Sequence, residues 1–261
     1  MSICNVPDDL PLVLGLEQWS AESGAPVPEL SLAHKQSAWD KPLIKRDLAA
    51  LMTSTTSEYH QARLKAVTSP HSGDWLLALP ISACGLRLDD EAVRIATGLR
   101  LGVDLCVQHE CPCGTLVTAD GSHGLSCRLG HGRTARHALI NDITWRGLIK
   151  AGFPATREPV GLVRSDGKRP DGVTLIPWEG GRCLAWDATV IDTLAELYRA
   201  RSAEAAGAAA EIAAERKSAK YTAFLPAYCF VPLAFETFGP INHEGMAFFN
   251  NLGHRLAQNY W

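Results

Sequence analysis

Two groups of residues in this chain have the types and spacing that chemistry needs. The first is Cys111, Cys113, His123 and Cys127, with one residue between the two leading cysteines, nine before His123 and three before Cys127. Three thiolates and one imidazole form a donor set suited to tetrahedral Zn²⁺. Gly114, Gly121 and Gly124 let so short a loop turn around an ion. Cys106 and His109 are spare candidates. Four protein ligands leave no position open for water, so such a zinc would be structural. Buried free thiols and disulfides are the competing readings. Crowding of the cysteines favours metal over disulfides in a reducing compartment, and nothing between Cys106 and Cys127 is apolar enough to form a core by itself.

The second group is acidic. Asp171 ends Lys168-Arg169-Pro170-Asp171 at the start of a predicted strand, and Asp187 lies sixteen positions later on the next. Adjacent strands can bring the two carboxylates together, where they could hold Mg²⁺ or Mn²⁺. A metal held so would neutralise a phosphoryl group and activate water for phosphodiester hydrolysis. Leu184, Trp186 and Val190 bury the other face of the second strand, which leaves Asp187 as a charge in need of a partner. An ion pair to an arginine is the alternative to a metal. Glu158, on the strand before, is a candidate third acid.

These residues depend on the elements that carry them. Residues 1 to about 32 are rich in Pro, Gly, Ser and acids and predict a loose arm. A helical region follows over 33–105, with helices at about 33–67 and 89–101, and then the glycine-punctuated knuckle at 106–131. Over 132–261 the pattern predicts a helix at 133–151, strands at 155–163, 171–176 and 182–191, and a long Ala-rich helix at 194–224 interrupted at Gly207. A strand at 228–237 and a helix at 243–258 complete it. Three sequential strands with a helical crossover to a fourth give a small mixed sheet flanked by helices.

With 261 residues, 46% apolar and 20% charged, the chain has material for one sizeable core and an appendage. Nothing in it reaches the roughly 18 apolar residues of a membrane span, and Met1 to Leu10 lacks a secretory pattern, which predicts an intracellular protein. A net charge of -3 argues against a nucleic-acid partner, but its distribution argues for one. From Arg128 to Arg169 nine Lys or Arg face three acids. Arg133, Arg136, His137, Lys168 and Arg169 are the candidates for contact with backbone phosphate; a solvated surface is the plainer reading.

The run from Cys111 to Tyr221 resembles the carboxy-terminal region of non-LTR retrotransposon proteins that end in a restriction-like endonuclease. The residues carrying the likeness are Cys111-Pro-Cys113-Gly114, His123-Gly124-Leu125-Ser126-Cys127, Gly132-Arg133, Arg136-His137 and Asn141-Asp142. Lys168-Arg169-Pro170-Asp171-Gly172, Trp186-Asp187-Ala188-Thr189 and Lys217-x-x-Lys220-Tyr221 continue it, covering somewhat under half the chain. Ser72-Gly73-Asp74-Trp75 and Glu236-Thr237-Phe238-Gly239-Pro240 in the flanks resemble segments of stand-alone relatives.

The resemblance implies an α/β fold with a PD-(D/E)XK restriction-endonuclease-like core, preceded by a zinc knuckle and a helical amino-terminal region. It also implies metal-dependent DNA nicking, element RNA as a second partner and a nuclear location. Thr189 stands where that core carries its lysine, so either the site is inactive or the lysine comes from elsewhere. The family's motif points to Lys217, with Lys220 as second choice. His137 matches an Arg-His pair that touches phosphate, or is a histidine on a helix surface. No Tyr-x-Asp-Asp polymerase motif occurs in the sequence, and the family commonly continues beyond the point matching Trp261. The alternative is a catalytically inactive zinc and nucleic-acid binding remnant.

Overall fold

The computed structural model of the chain describes residues 10–163, 167–222 and 226–259. Arg164 and Asp166 of the basic segment, Phe224 at the end of the expected long helix and residues 1–9 of the expected arm lie outside them. The chain divides into two compact units, residues 1–56 and 57–261. Among the described residues no helix is long and apolar enough to cross a membrane.

The first unit corrects the expected loose arm. Helix α1 (Leu10–Ser23) packs on α2 (Gln36–Ser54), with Trp19 edge-on to Trp39 at 5.0 Å. Pro11 falls in the first turn of α1, where a missing N–H costs nothing because the helix has no acceptor for it. The leucines that follow favour the helix over the loop that proline and glycine suggested.

The second unit opens with α3 (Glu58–Thr68), whose Ala62 and Ala66 are buried against Leu194, Ala203 and Phe238. The helical region expected at 33–105 is therefore not one linker. It breaks at Thr55, and its second half joins the main core. Helix α4 (Asp90–Leu101) is capped by the Asp89 carboxylate, which accepts the Ala92 N–H at 2.7 Å, and is closed by Gly102 in the left-handed region. Arg100 donates to the Val67 and Ser72 carbonyls, and Ser72 fills the space beside Gly239, where a Cβ would lie 2.7 Å from the serine hydroxyl. The two familiar flanks thus meet.

After a small hairpin of β1 (His109–Glu110) and β2 (Leu116–Val117) and a single turn, α5 (His123–Ser126), the chain enters α6 (Gly132–Lys150). The sheet consists of β3 (Ala155–Arg157), β4 (Gly172–Glu179), β5 (Arg182–Ile191) and β6 (Tyr228–Glu236), in that spatial order. Its first two pairings are antiparallel, and β5 with β6 is parallel. The crossover holds α7 (Glu196–Glu204) and α8 (Ala208–Lys220), parted at Gly207 with φ 82°, and α9 (His243–Asn259) ends the fold. This is a mixed α/β layer structure.

Alternation along β5 sorts its side chains. Leu184, Trp186 and Ala188 face Leu148 of α6 and Phe248 and Leu252 of α9, while Ile191 meets the alanines of α8. Small alanines bring α8 close to the sheet. The strand expected at 155–163 stops at Arg157, because Glu158 takes φ +50° and Pro159 has no N–H for a ladder.

Gly172 shows how tightly β4 and β5 are joined. A Cβ there would stand 2.0 Å from Cζ2 of Trp186, which is fully buried. We expect Gly172→Ala to destabilise the protein by roughly 1–3 kcal/mol through overpacking. Thermal unfolding would read this, and an unchanged midpoint would refute the contact.

Candidate functional site

Asp171 sits in the turn of chain leading into β4. Its backbone is fixed on both sides, the Asp171 N–H donating to Trp186 O at 2.9 Å and its carbonyl accepting from Glu158 N at 2.7 Å. Oδ2 accepts the Ala188 N–H at 2.7 Å and lies 3.1 Å from His137 Nε2. Burial opposes its charge, yet the His137 and Ala188 contacts hold the carboxyl down to about 2. The same hydrogen bond raises His137 above its ordinary value, against burial.

Asp187, in the middle of β5, is 5% exposed at its side chain. Burial pushes its carboxyl up; the Lys217 ammonium opposes that shift and Asp171 adds to it. Lys217 Nζ is 3.0 Å and Lys220 Nζ 3.5 Å from Asp187 Oδ2. Two carboxylates so close, one buried and one half-buried, need positive charge between or beside them. Here His137 and the two lysines supply it. One ligand atom each from His137, Asp171 and Asp187 lies within 4.8 Å of the others, a separation that one cation can bridge.

The lysines belong to the last turn of α8, and their position follows from how that helix is held. At its start, buried Glu236 accepts the Ala209 and Ala210 N–H groups through Oε1, at 3.1 and 3.3 Å. At its end, fully buried Tyr221 donates to Arg169 O at 2.7 Å and accepts from Lys220 at 2.6 Å. The tyrosine therefore couples α8 to the Arg169-Pro170-Asp171 turn. Thr189, the residue at the expected lysine position, instead lines a cavity of about 310 Å³ with Arg128, Arg133 and His137.

The other predicted residues fall unevenly. Glu158 is 69% exposed and paired with Arg169; it shares a cavity of about 510 Å³ with His137, Asp171 and Arg157, but its carboxylate is outside the cluster. Arg169 is accordingly turned to Glu158 and not free for phosphate, while Lys168 is exposed. Arg136 is turned inward, donating to Leu125 O, so it braces α6 against the knuckle. Arg133 is exposed on the first turn of α6. Arg146 and Arg157 both reach Asp142, so the sequence-wise charge excess is partly spent in local pairs.

The family likeness included Asn141 but gave it no role at the site. Its Oδ1 accepts the Trp186 indole N–H at 3.0 Å, and its Nδ2 lies 3.4 Å from both ring nitrogens of His137. The signal was its place one helical turn after His137.

The Cys/His group converges as well. Cys111 Sγ is 3.6 Å from Cys127 Sγ, Cys113 Sγ is 3.3 Å from His123 Nε2, and all four ligand atoms lie within 4.8 Å. Zn–S bonds of about 2.3 Å at a tetrahedral angle put two sulfurs about 3.8 Å apart, so this cluster could bind a metal such as zinc. Cys106 is turned to the Thr118 and Ala119 carbonyls and His109 to Val107 O, and neither belongs to the group.

No family model and no curated protein matches this chain.

Proposed function

We propose that the chain is a metal-dependent DNA-nicking domain with a PD-(D/E)XK core, akin to the terminal endonuclease of non-LTR retrotransposons. The observation that carries this reading is the convergence of Asp171, Asp187 and Lys217 from β4, β5 and α8, with the lysine on a helix and Thr189 in the strand position. The mixed sheet, with Asp171 at the start of one strand and Asp187 on its neighbour, supports it.

The donor set suits Mg²⁺ or Mn²⁺, since carboxylate oxygens prefer hard cations. Such an ion would neutralise phosphoryl charge and lower the pKa of a bound water. Asp171 and Asp187 would hold it. Lys217, released in part from Asp187 once that charge is shared, would face the phosphate and stabilise the charge that grows in the transition state. His137 keeps one oxygen of Asp171 engaged, which fixes the direction in which the other points.

DNA is the proposed partner through its backbone, with element RNA as a second, and the nucleus the proposed location. The test is a supercoiled-plasmid assay with Mg²⁺, Mn²⁺ or EDTA. Metal-dependent open circles are expected. DNA binding without any nicking would leave the catalytically inactive remnant, which Thr189 favours.

The Cys111, Cys113, His123 and Cys127 group is, in this reading, a structural zinc knuckle. Elemental analysis of purified protein should find about one zinc per chain, lost when Cys113 and Cys127 become Ser. Folded wild-type protein without metal would exclude it.

A further inference from the structure

The cavity of about 310 Å³ beside the acidic pair is lined by Arg128, Gly130, Arg133, Thr134, His137 and the Thr189–Val190 segment, with no acid among the described residues of its wall. Three of these can carry positive charge, and Thr134 and Thr189 bring hydroxyls. The cavity lies against the first turn of α6, a helix of 19 residues whose N-cap, His131, makes no side-chain cap. The first N–H groups of that helix have no intrahelical acceptor and add a partial positive charge. His137 lines this cavity and also the one that holds Asp171. Thr189 is two residues beyond Asp187, about 7 Å along the strand.

Arg128 arrives in that wall by way of the knuckle. It follows Cys127 directly, and its Nη2 donates to Cys113 O at 2.9 Å. The turn behind it is closed by Gly130 N–H donating to Cys127 O at 3.0 Å, and a Cβ at residue 130 would be tight, 3.3 Å from the same carbonyl. Both anchors of Arg128 are thus residues of the Cys/His group.

We propose that this cavity holds a DNA backbone phosphate beside the one that is cut, and that the Cys/His group carries Arg128 into place for it. The position of that phosphate relative to the cut rests on the nuclease reading above; the phosphate contact itself does not. A guanidinium held through one nitrogen on the Cys113 carbonyl offers its remaining N–H groups as a planar fork, which suits a phosphate better than a mobile lysine. The knuckle then has a task in DNA contact although it reads no base.

The experiment is a salt titration of duplex DNA binding by wild type, Arg128→Gln, Arg133→Gln and zinc-stripped protein, with plasmid nicking measured alongside. Each loss of one phosphate contact should flatten the dependence of log affinity on log salt by about 0.9. Arg128→Gln should do so while keeping its zinc and its circular dichroism, and stripping zinc from Arg128→Gln should flatten the slope no further. A DNA duplex whose phosphate beside the nick is replaced by a neutral methylphosphonate should bind wild type and Arg128→Gln alike. An unchanged slope in folded, zinc-loaded Arg128→Gln overturns the proposal, whether or not the protein nicks. A flattened slope without nicking in any metal upholds the phosphate site and removes the nuclease reading.

Discussion

Asp171→Asn and Asp187→Asn should each lower metal-dependent nicking by at least about 1,000-fold, the scale on which losing a centre of transition-state charge stabilisation is felt. Asparagine keeps the shape of the side chain and removes one charge. In Asp171→Asn the amide oxygen can still accept the Ala188 N–H, so the turn before β4 should stay in place. In Asp187→Asn two partly buried ammonium groups lose their only carboxylate within 4 Å among the described residues, so some stability should be lost as well. Nicking rates therefore need to be paired with thermal unfolding. Asp171→Asn is the sharper test, because the turn before β4 keeps its Ala188 hydrogen bond although the charged contact to His137 is lost. Nicking at the wild-type rate by a folded Asp187→Asn protein would remove the acidic pair from the mechanism.

Lys217→Ala should reduce nicking about 100- to 1,000-fold while DNA binding stays near wild type, since the charge acts on the transition state. Lys220→Ala should do less: its ammonium is 3.5 Å from Asp187, against 3.0 Å for Lys217, and is shared with the Tyr221 hydroxyl and ring. The decisive variant is Thr189→Lys in the Lys217→Ala background. Residue 189 is two positions beyond Asp187 on β5 and lines the neighbouring cavity, so a lysine there can return toward the same carboxylate. Part of the lost activity should come back. If Lys217→Ala itself nicks at the wild-type rate, the helix lysine has no part in the reaction.

What could be read from residues alone divides along physical lines. Strand β5 shows in its alternation of Leu184, Trp186 and Ala188 against Asp187 and Thr189, and the crossover shows in its alanines, because burial and periodicity are local properties of the chain. The acids and the Cys/His group were visible as residue types, and the structure brings each set together. What stayed hidden depends on neighbours distant in sequence. The inward turn of Arg136, the Glu158 to Arg169 pair and the joining of α3 to the main core have no local signature. The role of Asn141 came into view only through Trp186, forty-five residues away. Helix α1 was missed for the opposite reason: proline and glycine were given more weight than the leucines around them.

The parallel pairing of β5 with β6 bears on the order in which the molecule assembles. The β4 and β5 hairpin can close early, over a short loop at Gly180 and Gly181. Once closed, it draws Asp171 and Asp187 together before any lysine is near, since Lys217 lies in the crossover and α8 is seated only when β6 has docked. Until then the hairpin carries two like-charged carboxylates side by side. Refolding should accordingly be slowed by long-range closure and quickened at acid pH or by divalent cations, which relieve that repulsion before the lysine arrives.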